Sequence, residues 1–336
     1  MRLSVQKSYH ITVVGATGAV GLELLKVLER RAFSVKSLRL LASARSSGTT
    51  IKFHGETHVV EELREDSFRD SEIVFFSAGG DISRKFVPMA RAAGAVVVDN
   101  SSVFRMEPSV PLVIPEINGS DVAGHSGLIA NPNCTTAITL MALHPLHLAF
   151  GVRRVFAASY QAVSGSGARA IAELDRQVAA HVSGTSATLE IYPHPIAFNV
   201  LPHVDRFRPD GYTKEEMKMQ EEGRRIMHLP EFSASVTCVR VPVYRAHSVA
   251  VNAEFERPVS LTEARRVLST APGLELIDAP ERNLYPMPLG AAGKDNCQVG
   301  RLRLDCAMEN GLAFWVSGDQ LLKGAALNAV QIAELL

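Results

Sequence analysis

The chain begins with a strand pattern, a glycine-rich turn and a helix pattern. Residues 11–14 form a short apolar run rich in β-branched side chains, and residues 15–21 contain three glycines spaced three apart. Leucine and valine then recur at helical spacing through residues 22–28. Such a succession predicts a buried strand, a tight turn and a helix packed on the strand.

Strand and helix patterns continue to alternate up to about residue 130. Residues 38–42, 73–77 and 95–98 are predicted strands, and residues 86–93 are a predicted helix. Alternating strands and helices indicate a parallel sheet with helices on both faces. We therefore expect an α/β fold whose N-terminal part is a doubly wound parallel sheet.

The second half has longer, less regular stretches between its elements. Residues 155–163, 236–243 and 248–256 are predicted strands, and residues 168–181, 213–227 and 321–336 are predicted helices. Thr213 is the expected N-cap of the second of these helices, with Glu216 at the capping-box position. This half is expected to be a mixed α+β domain with a largely antiparallel sheet.

Composition narrows the class of protein. The 336 residues suffice for about two domains, and the 35 basic and 35 acidic residues cancel. A net charge of zero argues against a broad nucleic-acid or membrane surface. The first ten residues lack the apolar centre of a signal peptide, and no uncharged apolar stretch is long enough to span a membrane. We expect a cytoplasmic protein.

Four cysteines are present, and their spacing does not form a metal site. None belongs to a CxxC pair, and none stands beside a histidine at zinc-site spacing. We therefore expect no bound metal, and a reducing compartment.

The glycine turn is a candidate nucleotide site. Gly15, Gly18 and Gly21 follow a predicted strand and precede a predicted helix, the context in which this spacing binds dinucleotides. The backbone can then approach a pyrophosphate at the helix N-terminus. The alternative is a turn that only packs the helix against the strand.

The second predicted strand leads into a segment that bears on cofactor choice. Sites for NAD place an acidic residue there, but residues 43–48 contain none. Arg45 and Ser46 could hold a 2′-phosphate instead, which predicts a preference for NADP. The alternative is an ordinary solvated arginine.

Cys134 is the candidate nucleophile. It lies in the segment Asn-Pro-Asn-Cys-Thr-Thr, just before a long apolar run, and so at a predicted helix start. The positive end of a helix dipole favours the thiolate, which is the reactive form. The alternative is a buried structural cysteine.

A reactive thiol needs a proton-transfer partner and groups that orient the substrate. His247 and Arg240 lie in one segment, but their odd spacing would put them on opposite faces of an ideal strand. A bend at Pro242 or a bulge would be needed to unite them. Gln161 could orient a carbonyl group, or simply hydrogen-bond within the fold.

Further charged side chains could bind an anion. Arg105 suits bidentate recognition of phosphate or carboxylate. Glu215 and Lys218, three residues apart on a predicted helix, are more often a solvated ion pair.

Taken in order, these segments resemble the aspartate-semialdehyde dehydrogenase family over nearly the whole chain. The matching segments are GATGAVG, SARSSG, DNSSVFR, NPNCTT, SYQAVSGSG, PIAFNVLP, EEMKM, RVPVYRAHS and LLKGAALNAVQIAELL. The resemblance implies an NADP-binding Rossmann domain in residues 1–131 and 319–336. It also implies a catalytic and dimerisation domain in residues 132–318.

The resemblance also implies roles for single residues. Cys134 would form an acyl-thioester, His247 would be the general acid and base, and Gln161 would place the acyl group. Arg240 would bind the substrate carboxylate, Arg105 and Lys218 the phosphate, and Glu215 would lie near the amino group. The implied NADP(H) contacts are Gly15, Thr17, Gly18, Ala19, Val20, Arg45, Ser46, Ser164, Gly165 and Gln320.

The implied reaction is the NADPH-dependent reductive dephosphorylation of L-aspartyl 4-phosphate to L-aspartate 4-semialdehyde and phosphate. It belongs to the pathway to lysine and diaminopimelate, methionine, threonine and isoleucine. A homodimer, or a tetramer of paired dimers, is expected. Gln320 stands where the family often has Asn, and residues 181–194 form a shorter stretch than in relatives. The alternatives are an N-acetylglutamyl-phosphate reductase and a catalytically silent nucleotide-binding or scaffold homologue.

Overall fold

The computed structural model describes residues 7–336. They form two compact units, the first made of residues 7–132 with Ala325–Leu336 and the second of Asn133–Gly324. The expectation that the first ten residues lack a signal-peptide centre falls partly on residues 1–6, which lie outside the described residues. Across residues 7–336, every helix is too short or too polar to cross a membrane.

The first unit is built on a seven-stranded sheet with the order β3-β4-β2-β1-β5-β6-β7. All neighbours are parallel except β3 and β4, which pair as an antiparallel hairpin. The parallel doubly wound sheet predicted from the sequence is confirmed. The strands are β1 (Tyr9–Val14), β2 (Val35–Ala42), β3 (Thr50–Phe53), β4 (Glu56–Glu62), β5 (Ile73–Phe76), β6 (Val96–Asp99) and β7 (Leu128–Ala130).

The second unit contains a six-stranded mixed sheet with the order β11-β12-β13-β10-β8-β9. Three of its five pairings are antiparallel, while β8–β9 and β11–β12 are parallel. The expected mixed α+β domain with a largely antiparallel sheet is therefore present. The strands are β8 (Val152–Gln161), β9 (Ser233–Arg240), β10 (His247–Phe255), β11 (Leu274–Leu276), β12 (Cys297–Leu304) and β13 (Gly311–Gly318).

Helices α1 to α3 and α9 belong to the first unit, and α4 to α8 belong to the second. In chain order they are α1 (Ala19–Arg30), α2 (Gly80–Ala92), α3 (Pro115–Asn118), α4 (Cys134–Phe150), α5 (Ala168–Ser183), α6 (Lys214–Ile226), α7 (Leu261–Thr270), α8 (Pro288–Ala291) and α9 (Leu327–Ala333). Helix α6 has the predicted capping box, in which Thr213 and Glu216 exchange hydrogen bonds.

Burial follows the periodicity of each sheet. Every residue of β5 is buried, as expected for a central parallel strand covered on both faces. Strand β10 instead alternates, with Val249, Val251 and Ala253 fully buried while the residues between them are partly exposed. One face of the second sheet therefore packs on helices such as α4, and the other face is open.

The end of the chain differs from the predicted single helix over residues 321–336. Residues Leu322–Ala326 form a π-helical turn, and the α-helix begins only at Leu327. The N–H of Gly324 donates to the carbonyl of Asp319, five residues earlier, which is a π-helical hydrogen bond. The turn leaves no room for a side chain at position 324, since a Cβ there would lie 2.7 Å from Cβ of Cys134.

The predicted strand over residues 236–243 ends at Arg240, and this early end positions the candidate site. Strand β9 runs parallel to β8 on one side, and β10 runs antiparallel to β8 on the other. The connection of residues 241–246 therefore crosses the carboxyl end of β8, where Val163 donates to the carbonyl of Val243. Arg240 and His247 flank the same strand end.

Candidate functional site

In the first unit, the turn after β1 depends on glycine. Gly15 has φ +84°, and a Cβ there would lie 2.5 Å from the carbonyl oxygen of Ser77. A Cβ at Gly21 would lie 2.3 Å from the carbonyl oxygen of Gly15. Both positions exclude any side chain, so the turn folds tightly against β5 and the start of α1.

The same turn presents a helix N-terminus. Gly18 is the N-cap of α1, with Thr17 before it and Ala19 and Val20 in the first helical turn. The first N–H groups of a helix lack intrahelical partners, and the helix dipole is positive at this end. Bare backbone N–H groups beside a glycine turn are the feature that binds a pyrophosphate.

Arg45 and Ser46 lie in a short 3₁₀ turn that follows β2. Strand β2 is the parallel neighbour of β1, so both strands end at the same edge of the sheet. Arg45 is exposed and Ser46 is partly exposed. A solvent-accessible guanidinium at this edge suits a phosphate on the ribose of a dinucleotide.

Arg105 is buried in the first unit and held by backbone carbonyls. Its Nε donates to the carbonyl of Asn131 at 2.8 Å, and one Nη donates to the carbonyl of Asn100 at 2.8 Å. The loop that carries it is anchored by the buried Asp99, which accepts hydrogen bonds from Ser83 and Ser101. The guanidinium is therefore fixed rather than solvated.

In the second unit, Cys134 is the first residue of α4 and is partly exposed. Its neighbour Asn133 is the N-cap, and Oδ1 of Asn133 accepts from the backbone N–H groups of Thr135 and Thr136 at 3.0 and 3.1 Å. The thiol thus lies at a capped helix start, where the dipole favours the thiolate.

Two buried carboxylates of α6 hold that cap. Glu222 accepts from the backbone N–H of Asn133 at 2.7 Å, and Glu215 accepts from the side-chain amide of Asn133 at 2.9 Å. Hydrogen bonds to charged groups are about twice as strong as neutral ones. Asn133 is therefore fixed at both its main chain and its side chain.

Glu215 also connects the cap to two other candidate residues. Its Oε1 accepts from Gln161 at 3.3 Å, and its Oε2 accepts from Lys218 at 2.7 Å. Burial acts to raise the pKa of Glu215, but the Lys218 charge and the hydrogen bonds from Asn133 and Gln161 outweigh it, so this pKa is lowered. The pair is not the solvated ion pair that the spacing alone favours.

His247 is fully buried at the start of β10. Its Nδ1 accepts from the backbone N–H of Ala162 at 3.0 Å, so the neutral ring carries its proton on Nε2. Within the described residues, Nε2 has no hydrogen-bond partner. Burial, followed by the charge of Arg240, holds the pKa of His247 well below its usual range.

Arg240 lies against the same strand end. Its guanidinium donates to the carbonyl of Ala162 at 2.7 Å and lies 6.0 Å from the ring centroid of Tyr192. Gly165 closes over both side chains, since a Cβ there would lie 2.8 Å from Arg240 Nη1 and 3.3 Å from His247 Nε2. The loop backbone at Gly165 thus faces the imidazole directly.

Gln320 and Ser164 join the group from the end of β13. Gln320 accepts from the backbone N–H of Ala246 at 2.8 Å and donates to Oγ of Ser164. Hydrogen bonds and close contacts, together with adjacency along the chain, thus connect these side chains into one cluster in the second unit. Its members are Asn133, Cys134, Gln161, Ser164, Gly165, Glu215, Lys218, Arg240, His247 and Gln320.

Sequence reasoning missed several residues that support this set. Glu222 follows Glu215 by seven residues, a spacing that returns to the same helix face and could have revealed it. Asp319 and Tyr192 gave no sequence signal, because their partners are distant in the chain. Over residues 7–336, His, Cys, Asp and Glu side chains do not cluster in threes suited to a metal ion.

Comparison with protein families gives two matches that together cover most of the chain. A model described as "Semialdehyde dehydrogenase, NAD binding domain" matches residues 10–125. A model described as "Semialdehyde dehydrogenase, dimerisation domain" matches residues 143–323. The two matches fall mainly on the first and second unit, respectively.

Individual proteins are similar over nearly their full length. The chain is 50% identical to the aspartate-semialdehyde dehydrogenase of Aquifex aeolicus, covering 98% of each chain, and 45% identical to that of Bacillus subtilis, again covering 98% of each. A crystal structure of aspartate semialdehyde dehydrogenase II from Vibrio cholerae has a TM-score of 0.96 at 43% identity and 98% coverage of each chain. A structure of that enzyme complexed with ASA has the same TM-score at 42% identity.

The lowered pKa of His247 predicts a loss of stability in acid. Below about pH 6.5 the unfolded chain takes up a proton at His247 that the folded chain does not, so the free energy of unfolding falls as the pH falls, by up to about 1.4 kcal/mol per pH unit. His247→Gln should flatten this slope between about pH 7 and pH 5.5 in urea titrations. His194→Gln, at an exposed position, should retain it. Equal slopes in wild type and His247→Gln would contradict the assignment.

Proposed function

This chain belongs to the aspartate-semialdehyde dehydrogenase family, and we propose that it reduces L-aspartyl 4-phosphate to L-aspartate 4-semialdehyde with NADPH. The observation that carries the proposal is the set of hydrogen bonds around the carboxyl end of β8. Glu215 joins the cap of the Cys134 helix to Gln161, and the backbone N–H of Ala162, the next residue, donates to His247. A nucleophile, a proton-transfer group and orienting polar groups are the requirements of acyl transfer.

Cys134 carries out the covalent step. Its thiolate attacks the acyl carbon, a carbon–sulfur bond forms, and the carbon–oxygen bond to phosphate breaks, which releases inorganic phosphate. The sulfur stands at the positive end of the α4 dipole, which also stabilises the negative charge that develops on the substrate oxygen. The product of this step is a thioester on Cys134.

The substrate's polar groups have matching partners. Arg240 is positioned by Ala162 and suits the α-carboxylate, because a guanidinium binds carboxylates bidentately. Glu215 has a lowered pKa, so it is ionised and attracts the amino group. We assign phosphate recognition to Lys218 and to Arg105, and placement of the acyl group to Gln161.

The first unit has the features that NADP(H) requires. The Gly15 turn leaves space for a pyrophosphate at the start of α1, and Arg45 and Ser46 suit a 2′-phosphate. Ser164, Gly165 and Gln320 are the proposed nicotinamide-side contacts. Bound NADPH supplies the hydride that reduces the thioester carbon.

His247 exchanges the proton of the final step at Nε2. Since Nδ1 already accepts the Ala162 N–H, Nε2 is the ring nitrogen available to the substrate oxygen. In reduction Nε2–H shares its proton with the oxyanion of the tetrahedral intermediate, and the proton returns to Nε2 when the carbon–oxygen double bond re-forms and the carbon–sulfur bond breaks. This step releases the aldehyde and restores the Cys134 thiolate, and in the oxidative direction the same Nε2–H stabilises the oxyanion formed when the thiolate attacks the aldehyde.

Replacing the nucleophile tests the activity. In phosphate-dependent NADP⁺ reduction with L-aspartate 4-semialdehyde, Cys134→Ala should lower turnover by at least about 1,000-fold, because no thioester can form. NADPH binding, followed by fluorescence, should persist. Cys238→Ala is the matched control, because burial raises the pKa of Cys238 to about 12 and keeps it a thiol.

Substantial turnover by Cys134→Ala would refute the covalent mechanism. Wild-type activity with N-acetylglutamate semialdehyde instead of aspartate semialdehyde would show that the substrate is wrongly assigned.

Arg45 tests the cofactor preference. Arg45→Ala should raise KM for NADPH by about 10- to 100-fold, because a charge-assisted contact to the 2′-phosphate is lost. KM for NADH should change little, and Arg45→Lys should be intermediate. Equal effects on the two cofactors would contradict a role in 2′-phosphate recognition.

The open face of the second sheet is the proposed dimer contact. Phe156 and Tyr160 of β8 are 47% and 36% exposed, and the Tyr160 ring lies 5.2 Å from that of Trp315 between centroids. Aromatic side chains are enriched where protein surfaces meet. A two-fold axis would place the same aromatic face of a second copy against this one.

Disruption of this face should separate the copies. Phe156→Glu is expected to shift the mass measured by light scattering from dimer to monomer, because it places a charge on an apolar contact. Val59→Glu, at an exposed apolar position on β4, is the control and should stay dimeric. An unchanged mass for Phe156→Glu would place the interface elsewhere, and a wild-type mass of four chains would show that dimers pair further.

A further inference from the structure

The residue before His247 has an unusual backbone conformation. Ala246 has φ +72° and is fully buried. This left-handed region is unfavourable for a residue with a Cβ, so it persists only where neighbours hold it. Ala246 is the last residue of the connection, residues 241–246, that leads from β9 to β10.

Gln320 makes a direct hydrogen bond to that residue. Its Oε1 accepts the N–H of Ala246 at 2.8 Å, and its Nε2 donates to Oγ of Ser164. Gln320 is itself buried, so both ends of its amide are committed within the protein. An amide used at both ends acts as a link between the loop of Ser164 and the turn of Ala246.

Asp319 strengthens the same attachment from the adjacent position. Its Oδ2 accepts from Nε of Arg245 at 2.6 Å and from the N–H of Gly293 at 2.6 Å. Its Oδ1 accepts from the N–H of Leu321 at 2.9 Å. Arg245 is therefore bonded to the side chain of Asp319, and Ala246 to the side chain of Gln320.

We propose that Gln320 is a positioning residue that holds Ala246 in the left-handed conformation and thereby fixes where Nε2 of His247 lies. The inference rests on the proposed function, in which Nε2 exchanges the proton. The N–H of Ala162 fixes the imidazole ring, and Gln320 fixes the backbone from which the ring projects. The two restraints together place Nε2 beside Gly165.

The test first removes the two hydrogen bonds of Gln320 and then removes the backbone strain at position 246. Gln320→Leu has similar volume but neither hydrogen bond, so the turn should relax and move His247. A displacement of about 1 Å lowers turnover by about 100-fold, so kcat should fall whatever the change in KM for NADPH. Ala246→Gly added to Gln320→Leu should recover at least about tenfold, because glycine adopts φ +72° without strain.

A matched variant excludes a general effect of glycine. Asn283 also has positive φ, at +55°, but is exposed and lies in a different turn. Asn283→Gly in the Gln320→Leu background should recover nothing. Hydrogen exchange of the peptide covering residues 241–248 supplies a readout that does not depend on activity. Protection should fall in Gln320→Leu and return in the double variant with Ala246→Gly.

The outcomes separate this inference from the proposed function. A rise in KM for NADPH at unchanged kcat, or no recovery with Ala246→Gly, would overturn the positioning role. Unchanged hydrogen exchange in Gln320→Leu would overturn it as well. If wild type lacks the activity while hydrogen exchange follows the expected pattern, the function fails and the structural link stands.

Discussion

The two carboxylates that α6 directs at Asn133 are the contacts on which the rest of the second unit's site depends. Glu222 fixes the main chain of the cap, and Glu215 fixes its side chain. Asn133 can then cap α4, so that Cys134 stands at the first helical position. Without these bonds the helix start would lose a cap worth about 1 kcal/mol, and the sulfur would lose its defined place.

Glu215 also shows how one buried charge organises several polar groups. An isolated carboxylate is costly to bury, but this one accepts from Asn133, Gln161 and Lys218. The same bonds that stabilise its charge orient the Gln161 amide, which we propose to place the acyl group, and the Lys218 ammonium, which we propose to bind phosphate. In this proposal the bonds that satisfy the buried charge also position the substrate-binding groups.

His247 illustrates the opposite treatment of a titratable group. It is buried beside a guanidinium and accepts a backbone N–H, and all three conditions favour the neutral ring. The ring therefore has a single tautomer, in which Nδ1 accepts the Ala162 N–H and Nε2 carries the proton. Nε2 is therefore the ring nitrogen left for the proton exchange that we propose.

Much of the architecture follows from local patterns in the sequence. The 15–21 glycine turn, the capping box at Thr213 and the helix start at Cys134 all depend on short-range periodicity and turn chemistry. Each of these features is set by residues within a few positions of one another, so the chain alone suffices to predict them.

The tertiary structure alone decided how Arg240 and His247 meet. Because of their odd spacing, a single strand would place the two side chains on opposite faces. They lie close together because β9, which ends at Arg240, and β10, which begins at His247, are the two neighbours of β8. The close approach of Gly324 to Cys134, the burial of Glu215 and the link from Gln320 to Ala246 likewise depend on partners far away in the chain. The sequence determined which reactive groups are present and where helices α4 and α6 begin. Their mutual placement came from long-range strand pairing and packing, which no local pattern encodes.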